Sequence, residues 1–252
     1  MTAEPLPAQV DAVLRELLRP ECRPLLERLR LSGSVNRVYR VPLDGAGRFV
    51  VVKLPPHPWL VLRLNAKKLL RNLVYGERDA LVWRGYEAME AARAREWERE
   101  GLLVPPLVET SLRGVRAFLG LGYPTFYTVL TAPEYPVAEK LRVLEVVAHA
   151  LARQHRLAYE RGQKGLVHRD PGPWNIMVDV PGGVTYWFDL EHPADYPGMS
   201  LEALMARAVR IFLDGVLDHL GDHADEVVRI VAERYELAWV LRRAAASIER
   251  GE

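Results

Sequence analysis

The sequence predicts an α+β protein of two lobes, with strands concentrated in the first part of the chain and helices in the second. An Asp-Gly turn joins two apolar stretches of strand-like composition, at residues 34–43 and 48–54. An amphipathic segment at residues 137–162 and a helical tail from Ser200 follow later in the chain. We therefore place the boundary near Thr131. The predicted lobes are residues 1–131 and 132–252.

The first lobe is predicted to contain an N-terminal helix, the β-hairpin, a basic insert and a further helix. Helical spacing runs through residues 8–30, interrupted by Pro20 and Pro24 because proline cannot donate a helical hydrogen bond. Residues 86–100 have high helix propensity, and Gly101 is a plausible C-terminal cap. Two further strands are predicted, at residues 113–121 and 125–132.

The second lobe is predicted to begin with the long helix and to continue with a second β-hairpin. Strands at residues 175–180 and 184–190 flank a Pro-Gly-Gly turn. The tail at residues 200–252 reads as helix in two pieces, divided near Gly221.

Composition excludes several classes of protein. The net charge of +1 gives no global field that would attract nucleic acid, and we expect no nucleic-acid partner. Cys22 is the only cysteine, which excludes an internal disulfide and a multi-cysteine zinc site. The start of the sequence lacks the pattern of a secretion signal, and no apolar run has the length of a spanning helix. We expect a cytoplasmic location.

The segment GLVHRDPGPWNIMVDVPGGVTYWFDLEH carries the residues that predict chemistry. Phosphoryl transfer needs a cation on the phosphates, metal ligands, and a carboxylate at the acceptor hydroxyl. Asp170 can receive the acceptor proton, and Asn175 and Asp189 offer the hard oxygen ligands that Mg²⁺ prefers. The alternative is that these residues only form turns around two strands.

Three motifs in this sequence resemble those of the protein-kinase-like superfamily. HRDPGPWN is similar to the catalytic loop, FDLE to the metal-binding D-F-G motif, and VVVK to the third-strand V-A-I-K motif. The resemblance implies a β-rich N-lobe with an αC-like helix and a small helical C-lobe. It also implies that Lys53 binds phosphates and pairs with a glutamate of the helix at residues 86–100. Glu90 is our choice because in small atypical members a similar Glu precedes a similar Gly-x-x-x-Pro, with Glu87 as the alternative.

Departures from the protein-kinase motifs reduce the number of families that this chain resembles. The glycine-rich loop is reduced to Gly33, with Ser34 beside it as a further phosphate contact, and Asp-Leu-Glu replaces Asp-Phe-Gly. No activation segment follows. The chain is therefore most similar to the lipopolysaccharide (Kdo/WaaP) kinase family, with the RIO and Bud32-type kinases as neighbours. By position, backbone groups of Leu130 and Ala132 are expected to meet the adenine of ATP.

The function implied by the resemblance is ATP- and Mg²⁺-dependent phosphoryl transfer to a hydroxyl on a glycolipid sugar, a protein or a small molecule. The alternatives are an atypical Ser/Thr protein kinase and a nucleotide-binding pseudokinase scaffold without turnover. The insert at residues 59–84 has two interpretations, a peripheral membrane contact or a solvated face. Its basic residues are Arg63, Lys67, Lys68 and Arg71.

Overall fold

The computed structural model describes most of the chain and shows an α+β protein. The described residues are 6–31, 37–44, 47–55, 86–190, 199–235 and 237–249, with a few positions between 59 and 69. Side chains at 86–88 and 247–249 are not among them.

The chain groups into two compact units, which are described separately. The first comprises Met1–Arg95 with Pro105–Leu121, and the second comprises Glu96–Val104 with Gly122–Glu252. Residues 96–104 and 122–131 thus group with the second unit, whereas the predicted division at residue 131 assigns them to the first lobe. That division stays a prediction.

The first unit is built on a four-stranded antiparallel sheet in the order β1-β2-β4-β3. The predicted hairpin is confirmed as β1 and β2, with β1 at one edge of the sheet, and Lys53 lies in its second strand. The short third strand was not predicted, because two residues are too few to show an alternating pattern. The strands are β1 (Arg37–Pro42), β2 (Phe49–Leu54), β3 (Leu107–Val108) and β4 (Arg116–Leu119).

Two helices pack against one face of this sheet and share its core. Helix α1 (Leu6–Leu17) and helix α2 (Arg23–Arg28) are separated by a 3-10 turn at Pro20–Cys22, as the two prolines predict. Apolar side chains of both helices are buried with those of the hairpin, which gives one continuous core. Helix α3 (Tyr86–Arg99) confirms the prediction for residues 86–100.

The second unit contains five helices among its described residues, together with the second hairpin. They are α4 (Phe126–Thr131), α5 (Val137–Arg161), α6 (Leu201–Leu220), α7 (Ala224–Arg234) and α8 (Ala238–Glu249). The hairpin consists of β5 (Ile176–Asp179) and β6 (Val184–Trp187). The predicted two-piece tail breaks once more after α7, where the buried side chain of Tyr235 anchors the chain between helices.

The strand predicted at residues 125–132 is wrong, because this segment forms helix α4. Its β-branched and aromatic composition is typical of strands, but composition is a weak constraint beside local capping. The Thr125 hydroxyl accepts a hydrogen bond from the Thr128 N–H at 3.1 Å and caps the first turn. Burial follows the helical period, at Phe126, Val129 and Leu130.

Within the described helices, none combines the length and the apolar character needed to cross a bilayer.

Candidate functional site

The structure brings Lys53 and Glu90 together in the first unit. Lys53 lies in β2, and its Nζ donates to Glu90 Oε1 of helix α3 at 2.7 Å. Lys53 is 6% exposed and Glu90 is 2% exposed, so this is a buried ion pair. A lysine ammonium and a carboxylate both lose much hydration in such a place, and their contact offsets part of that cost.

A third charged residue completes this cluster and was missed in the sequence. The guanidinium of Arg116, in β4, contacts the other carboxylate oxygen of Glu90, Oε2. Arg116 is itself 4% exposed and is the direct cross-strand neighbour of Lys53. The available signal was an arginine at the start of an apolar strand, where charged residues are rare unless they are paired.

In the second unit, Asp170 and Asn175 of the predicted catalytic loop are bonded to each other. Asn175 Nδ2 donates to the Asp170 backbone carbonyl at 2.9 Å and to Asp170 Oδ2 at 3.1 Å. Both partner atoms are acceptors, so the amide orientation follows from the network. Asn175 Oδ1 therefore points elsewhere, and no described residue forms a hydrogen bond with it. This oxygen is the atom that a hard cation would use.

Trp174 makes a second contact with Asp170. Its indole Nε1 donates to Asp170 Oδ2 at 3.3 Å, so both side-chain bonds described for this carboxylate fall on the same oxygen. The indole is held by close approach of glycine backbone, since a Cβ at Gly172 would collide with its ring. A Cβ at Gly215 of α6 would lie 2.6 Å from Cδ of Pro173. No local sequence pattern indicates this contact, because it depends on a glycine that is distant in the chain.

His168 fixes the backbone of the loop. Its Nδ1 accepts the Asp170 N–H at 3.2 Å, so the proton lies on Nε2, which donates to the Phe188 carbonyl at 2.8 Å. The His168 N–H in turn donates to Gln154 Oε1 of helix α5 at 3.2 Å. Both ring nitrogens are bonded to backbone, which supports an organising role for His168 and not a role as base.

Asp189 lies at the end of the hairpin that carries Asn175. The Phe188 N–H donates to the Asn175 carbonyl at 3.2 Å, which places residue 189 beside the start of β5. Asp189 has a φ of 64°, and within the described part of the chain it is the one residue other than glycine with a positive φ. Such left-handed backbone is tolerated by Asp at a cost, and it redirects the side chain away from the strand.

Helix α5 carries a fully buried histidine close to this loop. His155 Nδ1 bonds to the hydroxyl of Tyr235, and the two rings meet edge-on with centroids 5.7 Å apart. Burial, with a smaller contribution from His168, lowers the pKa of His155 to about 3. His155 is therefore neutral at physiological pH.

The adenine contacts were expected at Leu130 and Ala132, in a segment predicted to be a strand. This segment instead forms helix α4, with Ala132 as its C-terminal cap. The Leu130 carbonyl accepts from Lys140 Nζ at 2.6 Å, and the Ala132 N–H donates to the Thr128 carbonyl at 2.9 Å. Their role in nucleotide binding stays a prediction. Several other residues lie outside the described part of the chain: Gly33, Ser34, Lys67, Lys68 and Arg71, and the side chain of Glu87.

The predicted Mg²⁺ site has two protein ligands, Asn175 and Asp189. Among the described residues, no group of three or more His, Cys, Asp or Glu side chains is arranged to hold a metal ion. Mg²⁺ retains several waters and commonly takes one or two side-chain oxygens, so Asn175 Oδ1 and the Asp189 carboxylate fit that ion in chemical type.

A scan against protein-family models and a search of curated proteins both return no match for this chain.

Proposed function

We propose that this protein is an ATP- and Mg²⁺-dependent phosphotransferase that acts on a hydroxyl group. The buried ion pair of Lys53 and Glu90 carries the proposal. Buried ion pairs contribute little net stability compared with apolar packing, so a strand lysine held by a helix glutamate calls for another reason. Binding of phosphate oxygens by the held ammonium supplies one.

The loop of the second unit supplies the acceptor chemistry. Asp170 Oδ2 accepts from Asn175 and Trp174, while Oδ1 has no hydrogen-bond partner among the described residues. Asp170 Oδ1 thus accepts the proton of the acceptor hydroxyl, and the two donors on Oδ2 fix the plane of the carboxylate. Positioning of this kind accounts for most of the catalysis in phosphoryl transfer.

Mg²⁺ would be held by Asn175 Oδ1 and Asp189, and when bound it neutralises charge on the phosphates. The acceptor class follows from resemblance alone, and the lipopolysaccharide kinases make a glycolipid sugar the first candidate. A protein hydroxyl, as in the RIO and Bud32-type kinases, is the next one to assay.

The test is phosphate transfer from labelled ATP by the full chain with Mg²⁺. Release to water and incorporation into glycolipid, protein and small-sugar pools are measured together. Asp170→Asn and Asp189→Asn are expected to lower both by about a hundredfold or more. Asp179→Asn is the matched control, since the Asp179 carboxylate lies at the turn of the same hairpin, where it accepts the Gly182 N–H and hydrogen-bonds to Tyr123, and neither contact involves Asp170, Asn175 or Asp189.

Full Mg²⁺-dependent transfer by the Asp189→Asn variant would remove the metal assignment. ATP binding by the unmodified protein without any release or transfer would replace the enzyme with a nucleotide-binding scaffold. Loss of activity in the Asp179→Asn control would show that the hairpin and not the metal site is responsible.

A further inference from the structure

Glu90 is shared between two cations that the sheet places side by side. Lys53 of β2 and Arg116 of β4 are directly opposite in the antiparallel ladder. Directly opposite residues point to the same face of a sheet, so both side chains leave β2 and β4 on one side. Glu90 reaches that side from helix α3, and all three side chains are buried.

The two contacts do not compete for one oxygen. Lys53 Nζ uses Oε1 and the Arg116 guanidinium uses Oε2. Like charges directly opposite on a sheet destabilise it, and a carboxylate that contacts both offsets that repulsion. A planar guanidinium also holds a carboxylate in a more defined orientation than an ammonium does.

We propose that Arg116 is a positioning residue that anchors Glu90, and with it helix α3, to the sheet before any nucleotide binds. Lys53 then has its carboxylate partner in place in the nucleotide-free protein, and ATP binding does not have to recruit the helix. The anchoring itself depends only on the contacts described above. Its consequence for ATP affinity rests on the proposed function.

The expected consequence of removing Arg116 is a smaller fraction of molecules in which helix α3 is held against the sheet. If Arg116 is removed, the Glu90 carboxylate loses one of the two sheet contacts described above, and the other is with Lys53, the group that phosphate would attract. A helix that is seated only part of the time lowers the apparent affinity for ATP by that fraction. Seating restricted to one-tenth of the molecules would raise the apparent Kd for Mg-ATP about tenfold.

The experiment compares Arg116→Met and Arg116→Lys with the unmodified full chain. Methionine keeps much of the volume without the charge, and lysine restores the charge with a single ammonium. Arg95→Met is the control. Arg95 lies on helix α3, as Glu90 does, and it pairs with Glu109 of the first unit at 2.5 Å, but this pair is on the exposed surface. Amide hydrogen exchange over residues 86–99 is measured with and without Mg-ATP, beside the Kd for Mg-ATP and the free energy of unfolding.

In the unmodified protein we expect slow exchange in helix α3 with or without Mg-ATP. Arg116→Met is expected to exchange faster there without nucleotide, to regain protection with Mg-ATP, and to bind Mg-ATP about tenfold more weakly. Arg116→Lys should recover part of both effects, and Arg95→Met should resemble the unmodified protein.

Equal protection of helix α3 in Arg116→Met and the unmodified protein would overturn the proposal. So would a loss of protection spread evenly over the sheet and all helices, which would make Arg116 a general stability residue. If the unmodified protein binds no Mg-ATP, the proposed function fails, yet exchange without nucleotide still decides whether Arg116 anchors the helix.

Discussion

His155 should make this protein sensitive to mild acid in a way that can be assigned to one side chain. The imidazole is fully buried in helix α5, and burial holds its pKa near 3. In the unfolded chain the same group has an ordinary pKa of about 6.5. Below that pH the unfolded chain takes up a proton that the folded protein does not.

The sign and size of the effect follow from this difference. Because the unfolded state binds more protons, stability falls as the pH falls, from about pH 6.5 down to the folded pKa of about 3. At pH 5 the loss is RT ln(1 + 10^1.5), or roughly 2 kcal/mol relative to neutral pH. The value at pH 5 depends on the unfolded pKa alone, provided that the folded pKa lies well below 5.

The assay is urea unfolding at pH 7 and pH 5 of the unmodified protein and of His155→Gln. Glutamine does not titrate, and its amide can still bond to the Tyr235 hydroxyl. The unmodified protein should lose about 2 kcal/mol more than the variant between the two pH values. His149→Gln is the control, since His149 is exposed on the same helix. An equal loss in the unmodified protein and His155→Gln would mean that His155 binds its proton as readily in the folded state as in the unfolded state, which refutes the reasoning.

Two further predictions concern stability at the two candidate sites. Lys53→Met should lower the free energy of unfolding by about 1 kcal/mol, because Glu90 keeps its second cation, whereas Glu90→Gln should cost about 3 kcal/mol or more. Urea unfolding measures both, and equal costs would contradict the sharing of one carboxylate. Gly215→Ala should lower stability by about 1–3 kcal/mol despite better helix propensity, because its Cβ would collide with Pro173. Gly221→Ala, with open space and helical backbone, should raise stability by about 0.5 kcal/mol, and urea unfolding of both glycine variants measures the two changes.

Local signals predicted the elements that depend on local chemistry. The Asp-Gly turn and strand-like composition predicted the first hairpin, helix propensity predicted α3, and amphipathic spacing predicted α5. Helix α4 was missed because its β-branched composition outweighed one capping threonine, Thr125, in the reading of the sequence. The break at Tyr235 was missed because it depends on burial against another helix, which no local pattern records.

The residues of the candidate site likewise include some that sequence motifs predicted and others that depend on contacts between distant parts of the chain. The motif spacing selected Lys53 and Glu90, and the structure places them in contact. Arg116 carried a signal only as a charged residue in an apolar strand; its contact with Glu90 was not predictable, because it requires the pairing of β2 with β4, strands that are far apart in the sequence. The hydrogen bond from the His168 N–H to Gln154 Oε1 could not be predicted for the same reason, since it joins the loop to a buried residue of helix α5.

Glu90 and Asp170 use their carboxylate oxygens in different ways, and the difference bears on their roles. Both oxygens of Glu90 contact buried cations, which is the arrangement of an anchor. Asp170 instead receives both described side-chain bonds on Oδ2, from Asn175 and Trp174. Its Oδ1 has no such bond within the described residues, and the side chain is only partly buried. A carboxylate held by one oxygen and open at the other is oriented for proton transfer, so the bonding pattern adds a reason for assigning the base to Asp170 that the motif letters do not contain.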